Sequence, residues 1–145
     1  MNAKNFALIA GIIYLVVGVL GFIPGILRDP PINAPDLAVE AGYGYLLGLF
    51  PVNVLHNLFH IAIGVAGIVS AKSLGGSRKF AQSVAVIYGV LTIFGLIPGL
   101  RTVFGLIPLH GHDVWLHALT AIVAAYFGFR TAPREEFVDH GTAVK

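Results

Sequence analysis

Four stretches of this chain are apolar for long enough to cross the roughly 30 Å of hydrocarbon in a bilayer. They are Phe6 to Leu27, Val52 to Ala71, Phe80 to Leu100 and Val114 to Phe129. No other feature restricts the fold as strongly, because backbone amides in lipid must be satisfied internally and each stretch is therefore predicted to be a helix. The last stretch is short and would reach span length by tilting or by extending back through Pro108. Composition points the same way: 57% hydrophobic against 11% charged residues, with a mean hydropathy of +0.84, is more apolar surface than a soluble core of 145 residues can hide. The expected fold is all-α, a polytopic membrane four-helix bundle forming one domain over residues 1–145, with membrane lipid as its solvent. Phe6 to Leu27 is read as a retained span, since three more spans follow it and no small-residue cleavage pattern does.

Positive charge orients these spans. With four crossings, Lys4, Lys72, Arg78, Lys79, Arg130, Arg134 and Lys145 fall on one side, against Arg28 and Arg101 on the other. The positive-inside rule then places both termini and the Ser70 to Lys79 turn in the cytoplasm. Arg28 to Tyr45 and Arg101 to His112 face outward, the first as an irregular cap or a short surface helix punctuated by prolines. Residues 131–145 form a short polar cytoplasmic tail.

The chain also reads as a two-helix unit written twice, over residues of about 4–71 and 78–130. Lys4-Asn5-Phe6-Ala7, Ile13-Tyr14 and Gly21-Phe22-Ile23-Pro24-Gly25 recur as Arg78-Lys79-Phe80-Ala81, Ile87-Tyr88 and Gly95-Leu96-Ile97-Pro98-Gly99. Gly48-Leu49-Phe50-Pro51 with His60 downstream recurs as Gly105-Leu106-Ile107-Pro108 with His117 at the same distance. Two units that each span twice share one orientation, so a parallel pseudo-two-fold along the membrane normal is expected. Pro51 and Pro108 are placed as openers of the second and fourth helices, where a missing N–H costs nothing. Glycine supplies close helix contact in lipid, and Gly11, Gly18, Gly21, Gly25, Gly64, Gly95 and Gly99 are the candidate packing positions.

The polar residues inside the spans need a separate explanation. His56 and His60 lie four apart, hence on one helix face, and Asp113 and His117 do the same on the fourth helix. The repeat alignment matches His56 to Asp113 and His60 to His117. Asn53, Asn57, His110 and His112 extend this polar network toward the outer surface. Such groups are expensive in hydrocarbon and turn toward one another, a cavity or a ligand. Three imidazoles and a carboxylate suffice for a divalent metal site on His56, His60, Asp113 and His117. A haem or chlorophyll held by His60 and His117 is a further possibility, and so is a purely structural network specifying how the repeats pack.

Other chemistries have less support. With no cysteine there is no thiolate metal site, disulfide framework or cysteine nucleophile. The sequence carries no strand pattern and no nucleotide-binding or nucleophile-elbow motif, and HNLFH has Asn57 where a zinc protease needs its glutamate. A formal charge of +2 without a basic cluster excludes nucleic acid as a partner. The chain is expected not to be an enzyme.

The string LGLFPVNVLHNLFHIAIGVAGI, carrying Asn53, His56, Asn57, His60 and Gly64, together with Asp113-Val-Trp-Leu-His117 and the earlier GVLGFIPG, resembles a bacterial four-span membrane family, domain of unknown function 4383. The resemblance covers roughly Phe6 to Gly128. It implies a helical bundle in the bacterial inner membrane and transfers no reaction. The first functional expectation is a small membrane protein acting as an interaction or accessory subunit, in a homo-oligomer or a larger membrane protein complex. A metal- or tetrapyrrole-binding protein and a small-solute or proton transporter or channel element are the alternatives.

Overall fold

Local capping decides where the helices begin and end in the computed structural model, which describes residues 2–130. Helix α1 runs Ala3–Leu20, opened by the Asn2 side chain accepting from the Asn5 amide at 3.0 Å. It stops at Gly21, and Pro24–Ile26 forms a 3-10 turn, so the first helix ends a turn or more short of the expected Leu27. Helix α2, Val54–Ser70, is capped by Asn53, whose Oδ1 accepts from the His56 amide at 2.9 Å. Helix α3, Leu74–Leu96, is opened by Ser73 Oγ accepting from the Gly76 amide at 3.0 Å. The turn expected over Ser70 to Lys79 thereby shrinks to Ala71–Ser73. Ile97, held extended by the Pro98 that follows, ends α3 before the expected Leu100. Helix α4, His112–Phe129, starts behind Gly111 at φ +67°.

Two further expectations are corrected. Pro51 and Pro108 do not open helices: Pro51 sits in a strand, and Pro108 lies four residues ahead of α4. The chain also forms a small antiparallel sheet, β1 (Leu27–Arg28), β2 (Gly44–Leu46) and β3 (Phe50–Val52), in the order β1-β2-β3. Strands of two or three residues are too short to show an alternating pattern. The β2–β3 hairpin turns on Leu47 and Gly48, at φ +54° and +73°, and the loop before α4 repeats that geometry at Phe104 and Gly105, at +58° and +85°. The two loops are stitched together: Ala38 and Val39 donate to the Gly105 carbonyl, and the Asn53 amide donates to the carbonyls of Val39 and Leu106 at 3.0 and 2.7 Å. This sheet and loop form one end of the bundle, the cap end.

The four helices pack as α1 against α2 and α3 against α4, with α1 meeting α3 between the pairs. Where they meet the residues are small or aromatic: Ala7, Ala81 and Ala124 are fully buried among Phe6, Phe80, Val84 and Tyr88. The opposite faces expose Leu8, Ile9, Ile12, Val16, Val86, Ile93, Leu119 and Ile122. Helices α1 and α3 are each long and apolar enough to cross a membrane; α2, at 17 residues, is a shorter apolar helix, and α4 begins with His112 and Asp113.

Candidate metal centre

The cap residues that end the sheet also aim the histidines. Once Asn53 fixes the start of α2, His56 and His60 project one turn apart from its inward face, and their rings stack obliquely with centroids 4.4 Å apart. Helix α4 brings His117 to the same place, 6.3 Å from His56 and edge-on to it. Each of the three imidazoles then offers one nitrogen within 4.8 Å of the others. All three are buried, as is Asp113, a turn earlier on α4, whose Oδ2 lies 3.9 Å from His56 Nδ1.

The hydrogen bonds around this group select a chemistry. His56 Nδ1 is 3.1 Å from the Pro51 carbonyl, which can only accept, so Nδ1 carries the proton and Nε2 keeps its lone pair. Asp113 Oδ2 lies on that same side of the ring, 3.9 Å from Nδ1 and beyond hydrogen-bond reach. Nδ1 of His60, Nδ1 of His117 and Oδ2 of Asp113 are buried with no hydrogen-bond partner. An unmade hydrogen bond of this kind costs about 1–3 kcal/mol per group, and two of the three belong to the histidines that converge here.

Aromatic rings close the side away from the cap. Tyr14 lies 5.3 Å from the His60 ring, Tyr88 meets His117 edge-on at 4.9 Å, and the two tyrosines are 5.4 Å apart. Against the three histidines lies a cavity of about 60 Å³, completed by Tyr88 and by hydrocarbon from Phe59, Leu91, Val103, Ile107 and Leu109. The loop residues among these were not candidates in the sequence. They reach the site only because the backbone turns through positive φ at Val103, Phe104 and Gly105.

The remaining candidates are placed around the centre rather than in it. Asn53 is the cap and loop stitch already described. Asn57, fully buried on α2, donates to the Gly21 carbonyl at 2.8 Å and ties α2 to the end of α1. His110 belongs to the cap, 6.1 Å from the Tyr45 ring, where burial first and the Arg101 charge second hold its imidazole below the usual histidine range. His112 is exposed and accepts from Trp115 Nε1 at 2.9 Å. Also in the cap, burial, then Tyr45, pushes the Tyr43 phenol up to about 12.

The glycines divide in the same way. A Cβ at Gly11 would come within 2.7 Å of the Ile68 nitrogen, one at Gly64 within 2.5 Å of the Leu15 nitrogen, and one at Gly18 within 2.8 Å of the Asn57 carbonyl oxygen. Gly21 leaves room for the Asn57 amide, and Gly95 for the Leu109 carbonyl. Gly25 and Gly99 have nothing within 4 Å: they lie past the helix ends, in the loops, and are not packing positions. Two close contacts were missed, Gly67 against Ala7 and Gly11, and Gly128 against Gln82. The three-residue spacing of Gly64 and Gly67 was the signal for the first.

No curated protein and no solved structure matches the chain. The family model described as Domain of unknown function (DUF4383) matches residues 4–130, nearly the whole chain, and the protein belongs to that family.

Proposed function

We propose that this chain is a four-span membrane protein that binds a divalent transition-metal cation through His56, His60 and His117, with the Pro51 carbonyl orienting His56 from behind. The observation that carries this reading is the convergence of three buried imidazoles whose donor atoms lie within 4.8 Å of one another. Nitrogen ligands about 2.0 Å from a tetrahedral ion stand about 3.3 Å apart, so small rotations of the rings close the set. Neutral imidazole suits zinc, copper, iron or nickel over magnesium or calcium. The cavity of about 60 Å³ admits an ion and a ligand of a few atoms, which favours a bare cation over a haem or chlorophyll.

The membrane reading rests on two span-length helices and on the exposed aliphatic faces of all four. Helices of 17 and 18 residues rise about 26 and 27 Å, so α2 and α4 nearly match the hydrocarbon thickness and are completed by the cap. The positive-inside bias puts the cap outside and the termini in the cytoplasm. Parallel duplication is supported by pairs of equivalent residues meeting near one axis: Phe6 with Phe80, Tyr14 with Tyr88, and His60 with His117.

Elemental analysis tests the function. Protein purified in mild detergent without chelator, then offered zinc or cobalt and desalted, should carry one ion per chain. His60→Ala and His117→Ala should each carry none while remaining folded by circular dichroism. Wild-type protein that retains no ion from either solution, or variants that retain it fully, would remove the reading.

A further inference from the structure

We propose that the cation on His56, His60 and His117 has a fourth, exchangeable coordination position that opens into the adjoining cavity, and that its ligand is a small monoanion of one to three non-hydrogen atoms. The inference rests on the metal reading above and adds what the metal binds.

Three protein ligands leave a tetrahedral ion one position open, the arrangement of catalytic rather than structural zinc sites. Asp113 does not fill it. The aspartate stands on the Nδ1 side of His56, is absent from the cavity wall and lies outside the group of mutually close donors. What does adjoin the three imidazoles is the cavity, and its size sets the scale of the ligand: about 60 Å³ is room for a few atoms and no more. Its wall sets the polarity. Apart from the histidines and Tyr88 it consists of Phe59, Leu91, Val103, Ile107 and Leu109. A sugar, amino acid or phosphate ester would leave several polar groups there without partners.

Charge balance then chooses the sign. A divalent ion with three neutral imidazoles carries +2. A net charge in a site walled by hydrocarbon is costly, and one small monoanion on the metal halves it. Hydroxide from ionised metal-bound water would serve at rest, and an exogenous monoanion would replace it by simple ligand exchange, the hydroxide leaving as water with a proton from solvent and with no redox change.

Cobalt(II) reports such an exchange directly, because its visible absorption depends on the identity and number of its ligands. Full-length protein in detergent, loaded with cobalt and desalted, is titrated with sodium azide and in parallel with sodium sulfate. Azide should shift the visible bands saturably, and sulfate, too large and doubly charged, should leave them unmoved. Leu91→Trp fills the cavity while leaving every metal ligand in the sequence, and should keep the cobalt while losing the azide response; Ile107→Phe serves the same purpose from the loop side if the first variant does not fold. Cobalt bound in full with bands indifferent to azide overturns the open position and leaves the metal site standing. An azide response that survives both cavity-filling variants overturns the role of the cavity. Failure to bind cobalt at all defeats the metal reading and the present inference with it.

Discussion

At the scale of single residues, the centre depends on side chains with two jobs. Asn53 is the clearest case, since its Oδ1 caps α2 while its amide donates to two loop carbonyls, Val39 and Leu106. If capping were its whole role, Asn53→Asp would be nearly neutral, because aspartate caps as well as asparagine. Aspartate would instead turn a carboxylate oxygen toward two carbonyls. Asn53→Asp should therefore destabilise the protein by about 2 kcal/mol or more, and by more than Asn53→Ala. Unfolding in SDS titrations ranks the two, and a neutral Asp variant would show that the loop stitch contributes nothing. Asn57 permits a narrower forecast: Asn57→Leu removes the bond to the Gly21 carbonyl and forces a branched side chain against Gly21. The loss should exceed the ~0.6 kcal/mol average of intramembrane hydrogen bonds, because overpacking is added. The same titration checks it, and a smaller loss would show that this end of α1 yields to the larger side chain. The four residues His56, His60, Asp113 and His117 were legible in the sequence for a physical reason. Two i,i+4 pairs at matched repeat positions specify both a helix face and a depth, and inward polar faces in a small bundle have few places to meet. That Asp113 stands behind His56 was not legible, because it depends on which ring nitrogen the Pro51 carbonyl occupies.

At the scale of elements, glycine decides how closely helices approach. The tight positions are those where a Cβ would strike the backbone of a neighbouring helix: Gly11, Gly18, Gly64 and Gly67 between α1 and α2, and Gly128 between α4 and α3. Gly18→Leu should cost about 2 kcal/mol or more by forcing α1 from α2, whereas Gly25→Leu should fall within about 0.5 kcal/mol of wild type. Thermal denaturation in one detergent compares them, and equal losses would mean that the α1–α2 contact is not close. The pair Gly21 and Gly25 looked alike in sequence because small-xxx-small spacing assumes a continuous helix. Helix α1 stops at Leu20, so only Gly21 faces α2. Capping also explains the displaced helix ends. The apolar run gave the existence of each helix, but hydroxyl and amide caps at Ser73 and Asn53 set the boundaries: Ser73 lies outside the runs, and Asn53 lies just inside the start of its own. The sheet was invisible for a related reason. Its strands pair within the segment between α1 and α2, and their hairpin turns left-handed at Leu47, a residue that carries no turn propensity of its own.

At the scale of the whole molecule, the placement of the centre near the cap makes topology a functional question. If the chain crosses four times with its cap outward, the histidine cluster lies closer to the outer aqueous phase than to the cytoplasm, and Val103, Ile107 and Leu109 of the outer loop before α4 line its cavity. The chain contains no cysteine, so a single introduced thiol is an unambiguous marker of side. Ile32 protrudes fully from the loop between β1 and β2, and Lys72 is exposed in the short turn between α2 and α3 at the opposite end. Neither side chain contributes to the centre or to a helix contact described above. In intact cells an impermeant maleimide should label Ile32→Cys and spare Lys72→Cys, and permeabilisation should make the second reactive. The reversed pattern would place the cap and its histidines on the cytoplasmic side, against the charge bias of Lys72, Arg78 and Lys79. Equal labelling of both in intact cells would mean that α2 and α3 do not separate two compartments at all. Since, among the described residues, α1 and α3 are the helices that meet the length and hydropathy requirement for spanning, α2 connects two helices whose faces are already aliphatic. Its polar, histidine-bearing side is turned inward where α1 and α3 pack against it, and its exposed side carries Leu58, Val65 and Val69. A helix with its polar groups turned inward and an aliphatic stripe outward is suited to lipid despite its 17 residues, and the labelling of Lys72→Cys only after permeabilisation is the outcome that follows from it.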